Sequence, residues 1–333
     1  MKLYLKLIRP YGMLFIGFTP FFGAIANGEY RLLPLTILVI IGMLAHIFTF
    51  VQNDYYDTEI DKKSKYVSNR PLVTDGISIK TAIVIFLSSF IFSIILNMIF
   101  LFSIYSFLML LFSFLCMTLY NKYSKRFFGM EYVLAIGVFS YGIFGTLTVS
   151  NSISNLAIII SSIGFMHWLF SVGVSANLKD VEFDTKLGIR TTPAVFGVYA
   201  KDKRLVIPIS FQIYAYFIKI IHIFIATLPF IFGYTSILVY DFPIPGICFL
   251  LIALPLLFLT QKILYTPLSK RDNMLIYIGL QEGLALLLVP IALISILIDS
   301  ISLLLTFLLI LLLIFWPLFW FRTLFGKKMI PLE

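Results

Sequence analysis

Apolar stretches long enough to cross a membrane as helices dominate this chain. About 20 predominantly apolar residues span the ~30 Å hydrocarbon core of a bilayer. Ten such stretches lie near residues 11–27, 34–54, 80–99, 101–119, 132–150, 156–177, 205–238, 244–261, 274–298 and 300–321. With 60% hydrophobic and 12% charged residues in 333, the composition excludes a water-soluble globular fold. We therefore predict an all-α integral membrane protein with about nine or ten transmembrane helices.

The positions of lysine and arginine test this topology independently, because these residues accumulate in cytoplasmic loops. If the N-terminus is inside, Arg31 alone falls on the outer side and Lys219 falls within a span, so the other 23 of 25 basic residues are cytoplasmic. We expect a multi-pass protein of the cell membrane with both termini inside. The net charge of +9 follows from this topology, and no nucleic-acid partner is needed to explain it.

An acidic cluster ends the second apolar stretch, at residues 53–61. At about 100° per residue in a helix, four of its side chains share one face: Asn53, Asp54, Asp57 and Asp61. Glu59 points away from that face. His46 and Phe50 continue the same face toward the membrane interior, where we expect them to line a substrate-binding region.

A second acidic cluster, at residues 180–184, follows the sixth apolar stretch. Asn177, Asp180 and Asp184 lie within one arc of a helix, and Glu182 again points away. Like charges a few ångströms apart repel by about 1 kcal/mol or more even at high dielectric, so facing carboxylates need cations. Carboxylate and amide oxygens favour Mg²⁺. We predict a magnesium site that holds a diphosphate, with these ligands: Asn53, Asp57, Asp61, Asp180 and Asp184. The alternative for any single aspartate is a hydrated residue at the interface.

A bound diphosphate also requires cationic donors, and the same predicted cytoplasmic rim supplies them. The candidates are Arg9, Arg70, Lys122, Lys125, Arg126, Lys186 and Arg190. Arg9 and Lys125 are the strongest of these. For each one, the alternative is an ordinary positive charge on the inner side of the membrane.

Two motifs in this chain resemble the aspartate-rich signatures of the UbiA superfamily of intramembrane prenyltransferases. The first comprises residues 53–61 followed by Asn69-Arg70-Pro71-Leu72, and the second comprises residues 180–184 followed by Gly188-Ile189-Arg190-Thr191-Thr192-Pro193. The resemblance covers roughly residues 5–298. It implies nine helices around a central cavity, with cytoplasmic loops as a cap. We therefore expect a UbiA-like domain at 1–298, and an additional transmembrane helix with a short cytoplasmic tail at 299–333.

The family commonly has a tyrosine four positions before a lysine in the loop after the fourth helix. In this chain Asn121 is four positions before Lys125, and tyrosines stand at 120 and 123. Tyr120 and Tyr123 are therefore both candidates for the substrate-binding tyrosine.

The resemblance implies an enzyme that uses Mg²⁺, as two ions, to transfer a polyprenyl group from its diphosphate to a hydrophobic, membrane-associated acceptor. A geranylgeranyl-type donor is expected, with an archaeal lipid precursor or a quinone-type aromatic as acceptor. We assign the ionisation of the allylic C–O bond to Arg9, Asp54, Arg70, Lys125 and Arg190. Apolar walls would keep water from the allylic cation.

Ionisable residues within a span are functional candidates by default, and Glu282 joins the substrate-binding set on that ground. A transporter or flippase for an anionic lipid is the alternative function. Such proteins place charge near the midplane and often have inverted repeats. Here both acidic clusters are expected to face one side, because four crossings separate them.

Overall fold

The computed structural model describes residues 1–64, 67, 69–202 and 204–328. The cytoplasmic lysines predicted at positions 65 and 203 lie outside these residues. Fifteen α-helices are described: α1 Lys2–Ile8, α2 Met13–Gly17, α3 Thr19–Ile25, α4 Leu32–Asp61, α5 Ile79–Phe100, α6 Ile104–Tyr123, α7 Met130–Leu147, α8 Asn155–Phe170, α9 Asn177–Lys186, α10 Thr192–Val195, α11 Ile209–Ile231, α12 Ile244–Tyr265, α13 Arg271–Ala292, α14 Ile294–Ser300 and α15 Leu303–Phe325. Strands β1 Tyr199–Lys201 and β2 Arg204–Val206 form one antiparallel hairpin.

Nine helical segments of the described chain are long and apolar enough to cross a membrane, which confirms the predicted all-helical membrane fold. Eight of the nine segments contain one α-helix each, namely α4, α5, α6, α7, α11, α12, α13 and α15. The ninth segment, Asn155–Lys186, consists of α8 and α9 joined by a π-helical segment at Ser171–Ala176. At 1.5 Å per residue, α4 and Asn155–Lys186 are each more than about 40 Å long. Both exceed the hydrocarbon thickness, so their acidic ends are expected to project beyond it.

The predicted first span near 11–27 is not one continuous helix, and we correct that expectation here. It consists of α2 and α3, preceded by α1 and a 3₁₀ turn at Pro10–Gly12. Pro10 and Pro20 have no amide hydrogen to donate to a preceding helical turn. Glycines also bring backbones together: a Cβ on Gly42 would overlap the Gly17 carbonyl, and a Cβ on Gly145 would overlap the Pro20 carbonyl. The N-terminal segment is therefore packed deeply against α4 and α7.

Helix α15 packs against α13 and against the N-terminal turn. The Trp316 indole Nε1 donates a hydrogen bond to the Pro10 carbonyl at 2.6 Å. The ring of Tyr11 stacks on Phe321 with 4.5 Å between centroids. Helix α15 thus contacts the N-terminal turn directly, next to Arg9.

The close approach of α7 to α3 gives a stability prediction. Gly145→Ala should destabilise the protein by about 1–3 kcal/mol, because the new methyl group would have to displace the Pro20 backbone. Thermal unfolding in detergent measures this effect. Gly164→Ala is the matched control, since its Cβ would meet only Val138 Cγ1 at 3.5 Å. Equal unfolding temperatures for the two variants would contradict the predicted overlap.

Candidate active site

The acidic face at the end of α4 is buried, as the helical spacing predicts. Asp54, Asp57 and Asp61 are 2%, 6% and 7% exposed. The Glu59 side chain, by contrast, is 82% exposed and pairs with Lys62 at 2.7 Å. The spacing of these residues along the helix therefore explains why Asp54, Asp57 and Asp61 are buried and Glu59 is exposed.

Arginines from two other segments neutralise this face. Arg9 Nη2 lies 2.5 Å from Asp54 Oδ1. Arg70 Nη1 lies 3.2 Å from the same oxygen and 2.6 Å from Asp61 Oδ2. Both arginines were predicted at the site, and in the structure both form ion pairs with the first acidic cluster.

The second acidic cluster, on α9, has its own cationic partners. Asp180 is paired with Arg271 at 2.9 Å and with Lys179 at 3.4 Å. Arg271 also donates to the Lys179 carbonyl. Neither Arg271 nor Lys179 was among the predicted site residues, and no motif in the sequence marks them.

Lys125 connects the two clusters. Its Nζ lies 3.5 Å from Asp184 Oδ1. Burial would lower the pKa of Lys125, but the carboxylates of Asp184, Asp57 and Asp180 outweigh burial and raise its pKa above the ordinary value. Carboxylates from both α4 and α9 therefore act on one ammonium group, which means that the two acidic helices end at one shared site.

The other predicted residues differ in how far they are buried. Asn53 and Asn177 are partly buried, and Arg190 is exposed in the loop after α9. Lys122 is exposed, with its Nζ 5.3 Å from the Tyr123 ring centroid. Tyr120 is partly buried and lies within electrostatic reach of Lys125.

Asn121, which stands where the family commonly has tyrosine, holds two helices together. Its Nδ2 donates to the Thr49 carbonyl at 2.9 Å and to Gln52 Oε1 at 3.0 Å. Both acceptors belong to α4, so Asn121 ties α6 to the acidic helix.

His46 contacts the backbone that carries Arg9. Its Nε2 lies 3.1 Å from the Arg9 carbonyl oxygen, and its ring is 4.3 Å from Phe50. Arg9 itself has φ 50°, in the left-handed region that non-glycine residues rarely adopt. The Arg9 guanidinium carbon lies 5.3 Å from the Phe50 centroid. His46 therefore supports the turn that aims Arg9, with Phe50 below the guanidinium.

The donor set of the site fits a hard divalent cation. Four carboxylates pair with five basic side chains, which comprise Arg9, Arg70, Lys125, Lys179 and Arg271. The fifth carboxylate, Asp57, lies within electrostatic reach of Lys125. Within the described ranges no group of three or more His, Cys, Asp or Glu side chains is close enough to form a ready-made metal site. However, Asp184 Oδ2 is buried and has no hydrogen-bond partner among the described residues. A buried, unsatisfied carboxylate oxygen is a suitable ligand for Mg²⁺.

The two acidic helices of this membrane-embedded bundle thus share one centre of basic side chains. The UbiA prenyltransferase family model matches residues 14–280, and the chain belongs to this family. It is a prenyltransferase, as the two motifs predicted. Family membership favours the enzyme over the transporter that the sequence also allowed.

Relatives and solved structures agree with this assignment. The chain is similar to a 4-hydroxybenzoate octaprenyltransferase from Francisella tularensis subsp. tularensis (strain FSC 198), at 29% identity over 201 residues, covering 58% of this chain and 68% of the relative. Its fold resembles a digeranylgeranylglyceryl phosphate synthase, with TM-score 0.58 and 20% identity over 91% of this chain and 99% of that one. It also resembles a UbiA homologue from Archaeoglobus fulgidus bound to GPP and Mg²⁺, with TM-score 0.59 and 18% identity over 86% of this chain and 99% of that one.

Proposed function

We propose that this prenyltransferase moves a polyprenyl group of geranylgeranyl type from its diphosphate to a membrane-associated acceptor, using Mg²⁺. The observation that carries this proposal is the position of Lys125, whose Nζ lies 3.5 Å from Asp184 on α9 and within electrostatic reach of Asp57 on α4. A solved structural neighbour that binds GPP and Mg²⁺ supports it. We further propose that the site and both termini face the cytoplasm, on the evidence of the basic loops.

Donor binding is expected to rearrange the ion pairs of the site. The five carboxylates and five bases balance each other, so an incoming diphosphate brings uncompensated negative charge. Arg9, Arg70 and Lys125 would then exchange their carboxylate partners for phosphate oxygens, to which arginine binds strongly. This exchange would free Asp61 from Arg70 and Asp184 from Lys125. The proposed ligands Asn53, Asp57, Asp61, Asp180 and Asp184 would then hold Mg²⁺. When bound, Mg²⁺ would neutralise charge on the leaving diphosphate.

The transfer itself follows from this arrangement. The bond between C1 of the prenyl chain and the diphosphate oxygen breaks, and its electron pair leaves with diphosphate. The acceptor nucleophile forms a new bond to C1 and loses a proton. Arg9 and Lys125 stabilise the charge that develops on the leaving group. Phe50, beneath Arg9, presents an aromatic face to which an allylic cation is attracted.

The acceptor belongs to one of two chemical classes. The similar Francisella relative is named for 4-hydroxybenzoate, which supports a quinone-type aromatic acceptor. The similarity of fold to a digeranylgeranylglyceryl phosphate synthase leaves an archaeal-type glyceryl lipid precursor as the second class.

A transfer assay tests the proposal. Purified protein in lipid nanodiscs is incubated with labelled geranylgeranyl diphosphate and, separately, 4-hydroxybenzoate or geranylgeranylglyceryl phosphate. We expect a prenylated product from one acceptor, with diphosphate released in equal amount and only when Mg²⁺ is present. Failure to bind the donor with Mg²⁺ and to release diphosphate with either acceptor would overturn the proposed function.

A further inference from the structure

Five polar or ionisable side chains from three membrane-spanning helices cluster away from the acidic site. They are His167 on α8, Lys219 and His222 on α11, and Gln281 and Glu282 on α13. Lys219 and His222 are 0% exposed. Burying such groups in a membrane protein is unfavourable unless they are paired, and they are functional candidates by default.

Most of the cluster is internally satisfied. Lys219 Nζ lies 3.4 Å from His222 Nδ1 and 3.9 Å from the Phe170 ring centroid. With the Gln281 amide oriented to satisfy both of its ends, its oxygen accepts from Lys219 at 2.6 Å and its nitrogen donates to the Leu256 carbonyl at 3.2 Å. Lys219 is thus held in place, and the negative charge of Glu282 acts on it electrostatically.

The His167–Glu282 pair is the unsatisfied end of this cluster. His167 Nε2 lies 3.1 Å from Glu282 Oε2. Even so, His167 Nε2 and Glu282 Oε1 are buried without an aligned hydrogen bond to any described residue. An unsatisfied buried polar group costs about 1–3 kcal/mol. His167 Nε2 and Glu282 Oε1 therefore have hydrogen-bonding capacity for a partner that is not part of the chain.

One member of the pair, His167, lines an aromatic cavity. Phe15, Phe18, Phe22 and Trp168 lie around the same cavity. The rings of Phe15 and His167 are nearly parallel, with 6.0 Å between centroids. Aromatic and apolar walls with one or two convergent polar groups are typical of small-molecule sites.

The cavity adjoins the proposed reaction centre through two aromatic rings. Phe50 lies 5.3 Å from the Arg9 guanidinium carbon on one side and 6.4 Å from the Trp168 ring on the other. The Trp168 ring is 6.2 Å from His167. A molecule in the cavity would approach the donor from the membrane side, where water is excluded.

We propose that this cavity is the acceptor site and that it takes an aromatic ring bearing a hydroxyl group, whose O–H donates to the His167–Glu282 pair. This inference rests on the proposed prenyl transfer and chooses between its two acceptor classes. The aromatic walls stack with a flat ring, and the Glu282 carboxylate accepts a hydroxyl proton. The same carboxylate repels an anionic group, so a phosphate or carboxylate on the acceptor must point toward the cationic rim instead.

Two variants test this site with 4-hydroxybenzoate as the acceptor probe and geranylgeranyl diphosphate as the donor. His167→Phe and Glu282→Gln should each raise the KM for 4-hydroxybenzoate roughly tenfold or more, because a hydrogen bond to a polar group is lost. The KM for the donor and its Mg²⁺-dependent binding should stay unchanged. Glu59→Gln, at an exposed carboxylate, is the matched control and should leave every value unchanged.

Selectivity for the hydroxyl group separates recognition from a structural role. Benzoate, which lacks the hydroxyl, should compete with 4-hydroxybenzoate much more weakly in the wild type, and this preference should disappear in both variants. Equal competition by the two compounds in the wild type, or unchanged acceptor KM in both variants, would overturn the proposal. So would failure of the wild type to bind 4-hydroxybenzoate. In that case, Mg²⁺-dependent donor binding would still support the proposed function.

Discussion

Asp57→Asn and Asp180→Asn are each expected to reduce Mg²⁺-dependent diphosphate release by about 100-fold or more. Each change removes one charged oxygen ligand from the proposed metal site, and loss of even an outer-shell partner of a metal typically costs 10–100-fold. The structure adds a reason to expect equal importance on both helices, since carboxylates from α4 and α9 converge on the same lysine. The measurement is the rate of diphosphate release by purified protein at saturating Mg²⁺.

Two outward carboxylates provide the controls for this experiment. Glu59→Gln and Glu182→Gln alter acids on the same helices that pair with exposed lysines, Lys62 and Lys186, at 2.7 Å in each case. Both control variants should release diphosphate at the wild-type rate. Undiminished turnover in Asp57→Asn and Asp180→Asn would refute the assignment of these aspartates to the metal.

Lys125→Gln is expected to lower kcat for prenyl transfer by about 10²–10³, which is typical when one preorganised charge-stabilising donor is removed. Lys125 is the residue through which the two acidic helices interact, and in the proposed reaction it stabilises the departing diphosphate. Steady-state kinetics with geranylgeranyl diphosphate measure the effect.

The control for Lys125 is Lys62→Gln, which removes an exposed lysine whose partner is the outward Glu59. That variant should retain the wild-type kcat. If Lys125→Gln also retained it, the transition-state charge would have to be stabilised elsewhere, and the proposed role of Lys125 would fail.

Apolar stretches of membrane-spanning length were sufficient to predict the fold class, and periodicity within a helix predicted the buried acidic face of α4. The spacing of Asp54, Asp57 and Asp61 placed all three on one side of α4 and Glu59 on the other, as observed. This works because side-chain direction in a regular helix depends only on residue separation. The family followed from the two aspartate-rich motifs.

Contacts between helices were less accessible to sequence reasoning. Arg271 begins α13, some 90 residues after Asp180, and nothing in its surroundings predicts their 2.9 Å ion pair. His46 has the predicted position on the acidic stripe, but the Arg9 carbonyl occupies its Nε2. Such partners are set by tertiary packing, which a single sequence does not specify.

Irregular backbone accounts for the remaining differences. The π-helical segment Ser171–Ala176 lies between His167 and Asp180. The rotation per residue in a π-helix differs from the 100° of an α-helix. The direction of the His167 side chain therefore cannot be calculated from the acidic face of α9 by counting residues back along the helix. Likewise, Pro10 in the sequence could predict that the helix breaks near Arg9, because proline cannot donate a backbone hydrogen bond. The hydrogen bond of Trp316 to the resulting turn could not be predicted.

A structure of the protein with Mn²⁺ in place of Mg²⁺ and a thiolo analogue of geranylgeranyl diphosphate tests the shared metal site most directly. Anomalous scattering locates the metal without reference to the rest of the density. We expect manganese peaks between α4 and α9, within coordination distance of Asp57 and of Asp180 or Asp184, with the diphosphate against Arg9 and Lys125. Peaks that contact carboxylates of only one helix, or that lie away from both, would contradict a shared metal site.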